Sequence, residues 1–184
     1  DRKSGRGKKI SFSAVKEVAL KNNLEVLQPT SLKDADILQS LKNLEPDIIL
    51  VVAYGLLIPK TVLDIPKLGC INLHASLLPR WRGASPIESC IAAGDTESGI
   101  TMMKMSVGLD EGPVLKKFIC ELDERETLGT LEDKFIGISS DKLLTFLKDY
   151  ENKKIDEIPQ PETGSTYAHK IDNSFKQLNW TANT

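Results

Sequence analysis

Asp47-Ile48-Ile49-Leu50-Val51-Val52-Ala53-Tyr54 decides the fold. A strand with one wet face alternates apolar and polar residues. An unbroken aliphatic run, rich in β-branched side chains, marks a strand covered on both faces, and such strands belong to parallel sheets. The apolar character continues to Ile58, interrupted at Tyr54 and Gly55. Even so it falls short of the ~20 residues that cross a bilayer, so the run is a buried strand and turn.

Working outward, Ile37, Leu38, Leu41 and Leu44 repeat at helical spacing, with Ser31 and Asp34 as a start signal and an end near Glu45-Pro46. Farther back, Ser13 to Asn22 reads as helix and Leu24 to Leu27 as a short strand stopped by Gln28-Pro29. On the other side, Pro59 to Leu63 makes a short helix and Gly69 to Ala75 the next buried strand. Ser85-Pro86-Ile87-Glu88 opens a helix: serine caps, proline takes the first helical position, and glutamate stands three residues after the cap. Gly94 ends it. Ile100 to Met105 and Val114 to Cys120 are two strands on a short glycine-bearing link that holds Asp110, hence antiparallel. Thr127 opens a long helix with Leu128, Leu131, Phe135, Ile138, Leu144 and Leu147 on its inner face. Pro159, Pro161 and Gly164 then break regular structure.

Strands alternating with helices make this an α/β chain with a doubly wound, mostly parallel, Rossmann-like sheet. Such a sheet ordinarily begins with a strand and a crossover helix. This chain starts on a charged, glycine-containing loop, and an opening β-α-β segment is expected to be missing from it. Residues 1–176 are expected to form one domain, and 177–184, with Trp180 and its polar tail, the start of a linker.

With 184 residues, 40% apolar and 27% charged, the chain has the composition of a single globular domain with a real core. A net charge of -2 excludes a polyanion binder as a whole. The sign is uneven, however: Arg2, Lys3, Arg6, Lys8 and Lys9 face one acid, Asp1, and read as either a solvated flexible arm or a phosphate-contacting loop. Cys70, Cys90 and Cys120 are odd in number and widely spaced, which suits free thiols in a reducing compartment. Only His74 and His169 are available as histidine ligands, so no structural metal is expected. A charged opening lacks the apolar core of a secretory leader, and a cytoplasmic protein, or an organelle-matrix one in a eukaryote, is expected. There is no phosphate-binding G-x-x-x-x-G-K-[ST] loop and no G-x-S-x-G elbow, and Gly5-Arg6-Gly7 is too short for a dinucleotide fingerprint.

Chemistry concentrates in Asn72-Leu73-His74-Ala75-Ser76-Leu77-Leu78-Pro79 and Val107-Gly108-Leu109-Asp110-Glu111-Gly112. Ligands of open α/β sheets collect outside the carboxyl ends of strands, and residues two apart on a strand share a face, so Asn72 and His74 can act together. Amide, imidazole and carboxylate form a set that transfers an acyl group without metal or covalent intermediate. Each also has an ordinary structural reading: His74 satisfied by a backbone carbonyl, Asn72 stabilising a turn, Asp110 as a turn carboxylate between glycines.

Taken with Trp81-Arg82-Gly83, these segments resemble the folate-dependent formyltransferases over nearly the whole chain. Asp1-Arg2, Gly5-Arg6-Gly7-Lys8-Lys9, Val52-Ala53-Tyr54-Gly55 and Trp180 narrow the resemblance to the N-terminal catalytic domain of the branch that formylates initiator tRNA. The resemblance implies transfer of the formyl group of 10-formyltetrahydrofolate to the α-amine of methionine esterified to initiator tRNA, for translation initiation. It implies Asn72, His74 and Asp110 as catalytic residues, and Ser76, Leu77, Leu78 and Pro79 as a folate-contacting turn. Tyr54, Gly55 and Leu56, with Val107, Gly108 and Leu109, would line the pterin pocket, and Arg6, Lys8 and Lys9 would meet the tRNA acceptor end. A monomer without metal or membrane contact is expected. The chain departs from the pattern in its opening unit, in the C-terminal barrel domain, and at Ala75, where many relatives carry glycine. Three other readings keep the same residues: a 10-formyltetrahydrofolate hydrolase, an amino-sugar-nucleotide formyltransferase, and a catalytically silent folate- or RNA-binding domain.

Overall fold

A computed structural model describes residues 2–4 and 9–172, with the backbone alone at 2–4 and 9–11. Trp180 and the linker expected at 177–184 lie outside the described residues, as do Arg6 and Lys8. Contacts divide the chain into two compact units, Asp1–Leu32 and Lys33–Thr184.

In the first unit, β1 (Arg2–Ser4) and β2 (Lys9–Ser11) pair antiparallel, Arg2 opposite Ser11 and Ser4 opposite Lys9. The basic opening is therefore a paired ladder on both sides of residues 5–8, where sequence reading had only an arm or a loop. Helix α1 (Ala14–Lys21) begins where expected, its Ser13 side chain accepting from Lys16 N. The strand expected over Leu24–Leu27 does not form. Its alternation carries no ladder partner among the described residues, and a lone extended run leaves its backbone groups to water.

The second unit begins with α2 (Ala35–Asn43), capped by the Asp34 carboxylate on Asp36 N. The deciding run gives β3 (Ile49–Val52), followed by the one-turn α3 (Lys60–Leu63) and β4 (Cys70–His74). Then come the short β5 (Arg82–Gly83), α4 (Pro86–Ala92), β6 (Glu97–Lys104), β7 (Val114–Glu121), α5 (Leu128–Glu151) and β8 (Tyr167–Ala168). The Thr127 and Thr130 side chains close a reciprocal capping box at the start of α5. Ser85 precedes α4 as expected, yet its hydroxyl makes no cap bond; it accepts instead from Ile171 N.

The main sheet runs β3-β4-β6-β7. Within it β3 pairs parallel with β4, while β4–β6 and β6–β7 are antiparallel; β5 and β8 form a separate parallel pair. Continuous aliphatic runs report burial of both faces, and an antiparallel strand buried on both faces, such as β6, carries the same signature. Ile71, Ile100 and Met102 on one face pack with Cys90 of α4 and Leu131, Phe135, Phe146 and Tyr150 of α5. Each such side chain contributes ~1.5–3 kcal/mol when fully buried. Cys70 faces the other way, its thiol against the Val62 carbonyl of α3. Burial pushes that thiol up to about 11, and all three cysteines are free. No described helix is long and apolar enough to cross a membrane.

Candidate active site

Period-two geometry puts Asn72 and His74 on the face of β4 opposite the helical core, register-paired with Met103 and Thr101 of β6. The link from β6 to β7 folds back over this face. There Asn72 Nδ2 donates to Asp110 Oδ1 at 3.3 Å, and His74 Nδ1 stands 3.6 Å from Asp110 Oδ2. Amide and imidazole from one strand thus meet a carboxylate from a separate loop, with the His74 and Asp110 side chains 6% and 11% exposed.

The ordinary readings of His74 and Asp110 also hold, and they explain the geometry. His74 Nε2 lies 2.9 Å from the Trp81 carbonyl. A carbonyl only accepts, so Nε2 carries a hydrogen, and Nδ1 is the nitrogen left to face the acid. Asp110 does occupy a turn, at φ 52°. Its Oδ2 accepts from Gly83 N at 2.8 Å, leaving Oδ1 to Asn72. Aspartate tolerates the left-handed region better than most residues, and the turn aims its carboxylate at β4.

Several supports had no signal in the sequence. Trp81 is held at φ 61°, costly for a bulky side chain. Three contacts fix it: its N–H donates to Thr166 Oγ1 at 2.9 Å, its indole Nε1 donates to Asp95 Oδ2 at 2.8 Å, and the Arg80 guanidinium lies over its ring at 4.2 Å. Arg80 in turn makes a two-pronged pair with Asp95, at 2.6 and 2.9 Å. The Arg80 hydrogen bond, with that of Trp81, holds the Asp95 carboxyl below the usual carboxylate range. Thr101, fully buried, donates to Ser76 O and accepts from Leu78 N, pinning the turn after His74. Gln160 donates to the Asp110 and Gly112 carbonyls and accepts from Arg82. Apart from Arg80 on its neighbour Trp81, these side chains lie 14 to 85 positions from their partners, and nothing in their spacing announces the contact.

Among the residues expected to meet folate, Ser76, Leu77 and Leu78 have internal partners. The Ser76 hydroxyl donates to Arg80 O at 2.6 Å, Leu77 lies against Gly99, and Leu78 is buried with Met103 and Val114. The Leu78–Pro79 peptide is cis, and Pro79 O accepts from Thr166 N. Tyr54, Leu56, Val107 and Leu109 are exposed apolar side chains, beside Gly55 and Gly108. Lys9 falls on β2. Ala75 is not among the positive-φ residues, so its methyl group is accommodated. Among the described residues no group of three His, Cys, Asp or Glu is placed to hold a metal ion. A cavity of about 620 Å³ lies away from these residues, between α2 and α3, lined by Lys42, Glu45, Pro46, Thr61, Asp64, Ile65 and Lys67.

Two glycines bind the loops together. A Cβ on Gly112 would sit 1.8 Å from Lys104 O, and one on Gly83, at φ 112°, would sit 2.6 Å from Ala168 O. Gly83→Ala therefore strains the backbone and pushes β5 from β8, with a stability loss above ~1 kcal/mol expected from denaturant titration. An unchanged midpoint would mean that the β5–β8 contact yields freely.

A polar trio at the end of a buried strand, on an α/β sheet with a helical core behind it, defines a class of group-transfer domain. The chain belongs to the formyl transferase family, whose model matches residues 1–146. It is similar to a methionyl-tRNA formyltransferase of Francisella philomiragia, at 50% identity over 173 residues, 93% of this chain and 54% of that protein. The chain thus spans about half the length of the curated relatives it matches. Among solved structures, glycinamide ribonucleotide transformylase 1 of Geobacillus kaustophilus is similar at 28% identity and a TM-score of 0.64, over 72% of this chain and 74% of that one. HypX of Aquifex aeolicus, solved with tetrahydrofolic acid, shares the fold at a TM-score of 0.69 and 18% identity, over 81% of this chain and 26% of that one.

Proposed function

We propose that this chain carries the centre that moves the formyl group of 10-formyltetrahydrofolate to the α-amine of methionine esterified to initiator tRNA. The observation that carries the reading is the convergence of Asn72 and His74 on the two oxygens of Asp110. The half-length identity to methionyl-tRNA formyltransferases supports the choice of acceptor. The residues fit a formyl donor chemically: hydrogen-bond donors and one carboxylate share a face, and apolar Tyr54, Leu56, Val107 and Leu109 are free to cover a flat ring.

Asn72 donates to the formyl oxygen as charge builds there, giving up a 3.3 Å bond that is long for N–H···O. His74, locked through Nε2, presents Nδ1 to the same space. Asp110 orients the imidazole and relays the proton shed by the attacking amine to the folate nitrogen that leaves. One C–N bond forms and one breaks, a single proton passes between the two nitrogens, and no electrons change hands. On this reading Arg6, Lys8 and Lys9 contact tRNA phosphates, and the protein works as a monomer in the compartment of translation.

The full-length polypeptide, given 10-formyltetrahydrofolate and offered water, an amino-sugar nucleotide or methionyl initiator tRNA, is expected to formylate the tRNA. Formate alone, a formylated sugar or no product overturns the assignment. Arg6→Ala is expected to weaken tRNA binding and lower the salt slope of log K by about 1, because one phosphate contact no longer releases its counterion. Equal slopes in both proteins would remove Arg6 from the interface.

A further inference from the structure

We infer that Gln160 is a positioning residue for Asp110, an inference that rests on the proposed formyl transfer. Gln160 lies between α5 and β8, beyond the residues the family model matches. Its Nε2 donates to Asp110 O at 2.8 Å and to Gly112 O at 2.7 Å, and its Oε1 accepts from Arg82 Nε and Nη2 at 3.1 and 2.9 Å. Two N–H donors and two lone pairs are all that a primary amide has, and here all are used.

The two segments it ties are those that set the carboxylate. One is the 110–112 turn, whose first residue is held at φ 52°. The other is Arg82-Gly83, whose glycine N–H holds Asp110 Oδ2 at 2.8 Å. A left-handed non-glycine residue persists where its surroundings over-determine it, and Gln160 supplies that determination. Its neutrality matters too. Arg82 is 2% exposed and would pair with a carboxylate, but a glutamate at 160 would turn negative oxygen toward the two carbonyls and cannot donate to them. Glutamine can do both at once.

The test is a double-mutant cycle in the full-length polypeptide with methionyl initiator tRNA. Gln160→Met is expected to lower kcat by about 10- to 100-fold, the scale of an ångström misplacement, with KM for the formyl donor little changed. Gln160→Glu keeps the bonds from Arg82 and is expected to act in the same direction; either variant is assayed below its own melting temperature. In an Asp110→Asn background, Gln160→Met is expected to cost almost nothing more, because it acts through that carboxylate. Equal fold losses in both backgrounds, or wild-type kcat in the Met and Glu variants, overturn the inference while leaving the proposed function standing. Wild-type activity in Asp110→Asn alone would instead refute the role given to the trio.

Discussion

Asn72→Ala is expected to lower formyl-transfer turnover by about 10²–10³-fold, the cost of one lost oxyanion donor. Donor affinity should stay near its wild-type value, because the amide contributes most when charge builds on the formyl oxygen and less to the neutral ground state. Asn72 is half-buried on β4, and among the described residues its side chain is held by the long bond to Asp110. Truncation opens no cavity in the helical core, since the residue points to the opposite face from Ile71 and Leu73. Equilibrium binding of tetrahydrofolate, single-turnover formylation and a thermal melt separate the effects. Turnover within tenfold of wild type would end the oxyanion assignment, and a collapse of the melting transition would show the amide to be structural.

The fold was legible wherever a local rule dominates. Asp34 as cap, Pro86 at the first helical position, Thr127 before the long helix, and the Asp47–Tyr54 run each fixed an element within a residue or two. What was not legible depended on neighbours. Leu24–Leu27 has the residues of a strand but no ladder to join, and the direction of β6 relative to β4 is not written in the composition of either. Strand polarity is set by the path of the Pro86–Ala92 connection, which sequence period does not reveal.

The site was legible in its trio and not in its supports. Asn72 and His74 announce themselves by spacing on a strand, and Asp110 by its glycine-rich link. Trp81 hides because a backbone carbonyl holds the imidazole, and any residue type has one; only its φ of 61° marks the position. Asp95 and Thr166 act on Trp81 at one remove, and Gln160 reaches the 110–112 turn from 48 to 50 positions away. The same contact that satisfies His74 as an ordinary buried histidine also selects which nitrogen is left for chemistry. The structural reading of that residue does not exclude the proposed one.

Asp110→Asn is expected to be the most damaging isosteric change, lowering kcat by about 10²–10⁴-fold, the range lost with a proton-transfer group. Asparagine also tolerates φ near 52°, so the turn survives, and its side-chain oxygen still accepts from Gly83 N. The new amide nitrogen then faces Asn72 Nδ2, and two donors cannot share that gap. Asn72 is forced to flip and present its oxygen, which removes the donor from the formyl oxygen at the same time as the carboxylate is lost from His74 Nδ1. The loss should therefore equal or exceed that of Asn72→Ala, and the double variant should be little worse than Asp110→Asn alone. His74 and His169 are the two histidines of this chain, so ¹⁵N spectra of the 184 residues can follow the His74 ring directly: Nε2 should keep its hydrogen on Trp81 O while the Nδ1 signal moves. A variant that loses activity with the Nδ1 signal unmoved would uncouple the acid from the imidazole, and the proton relay would then have to run from amine to folate nitrogen without it.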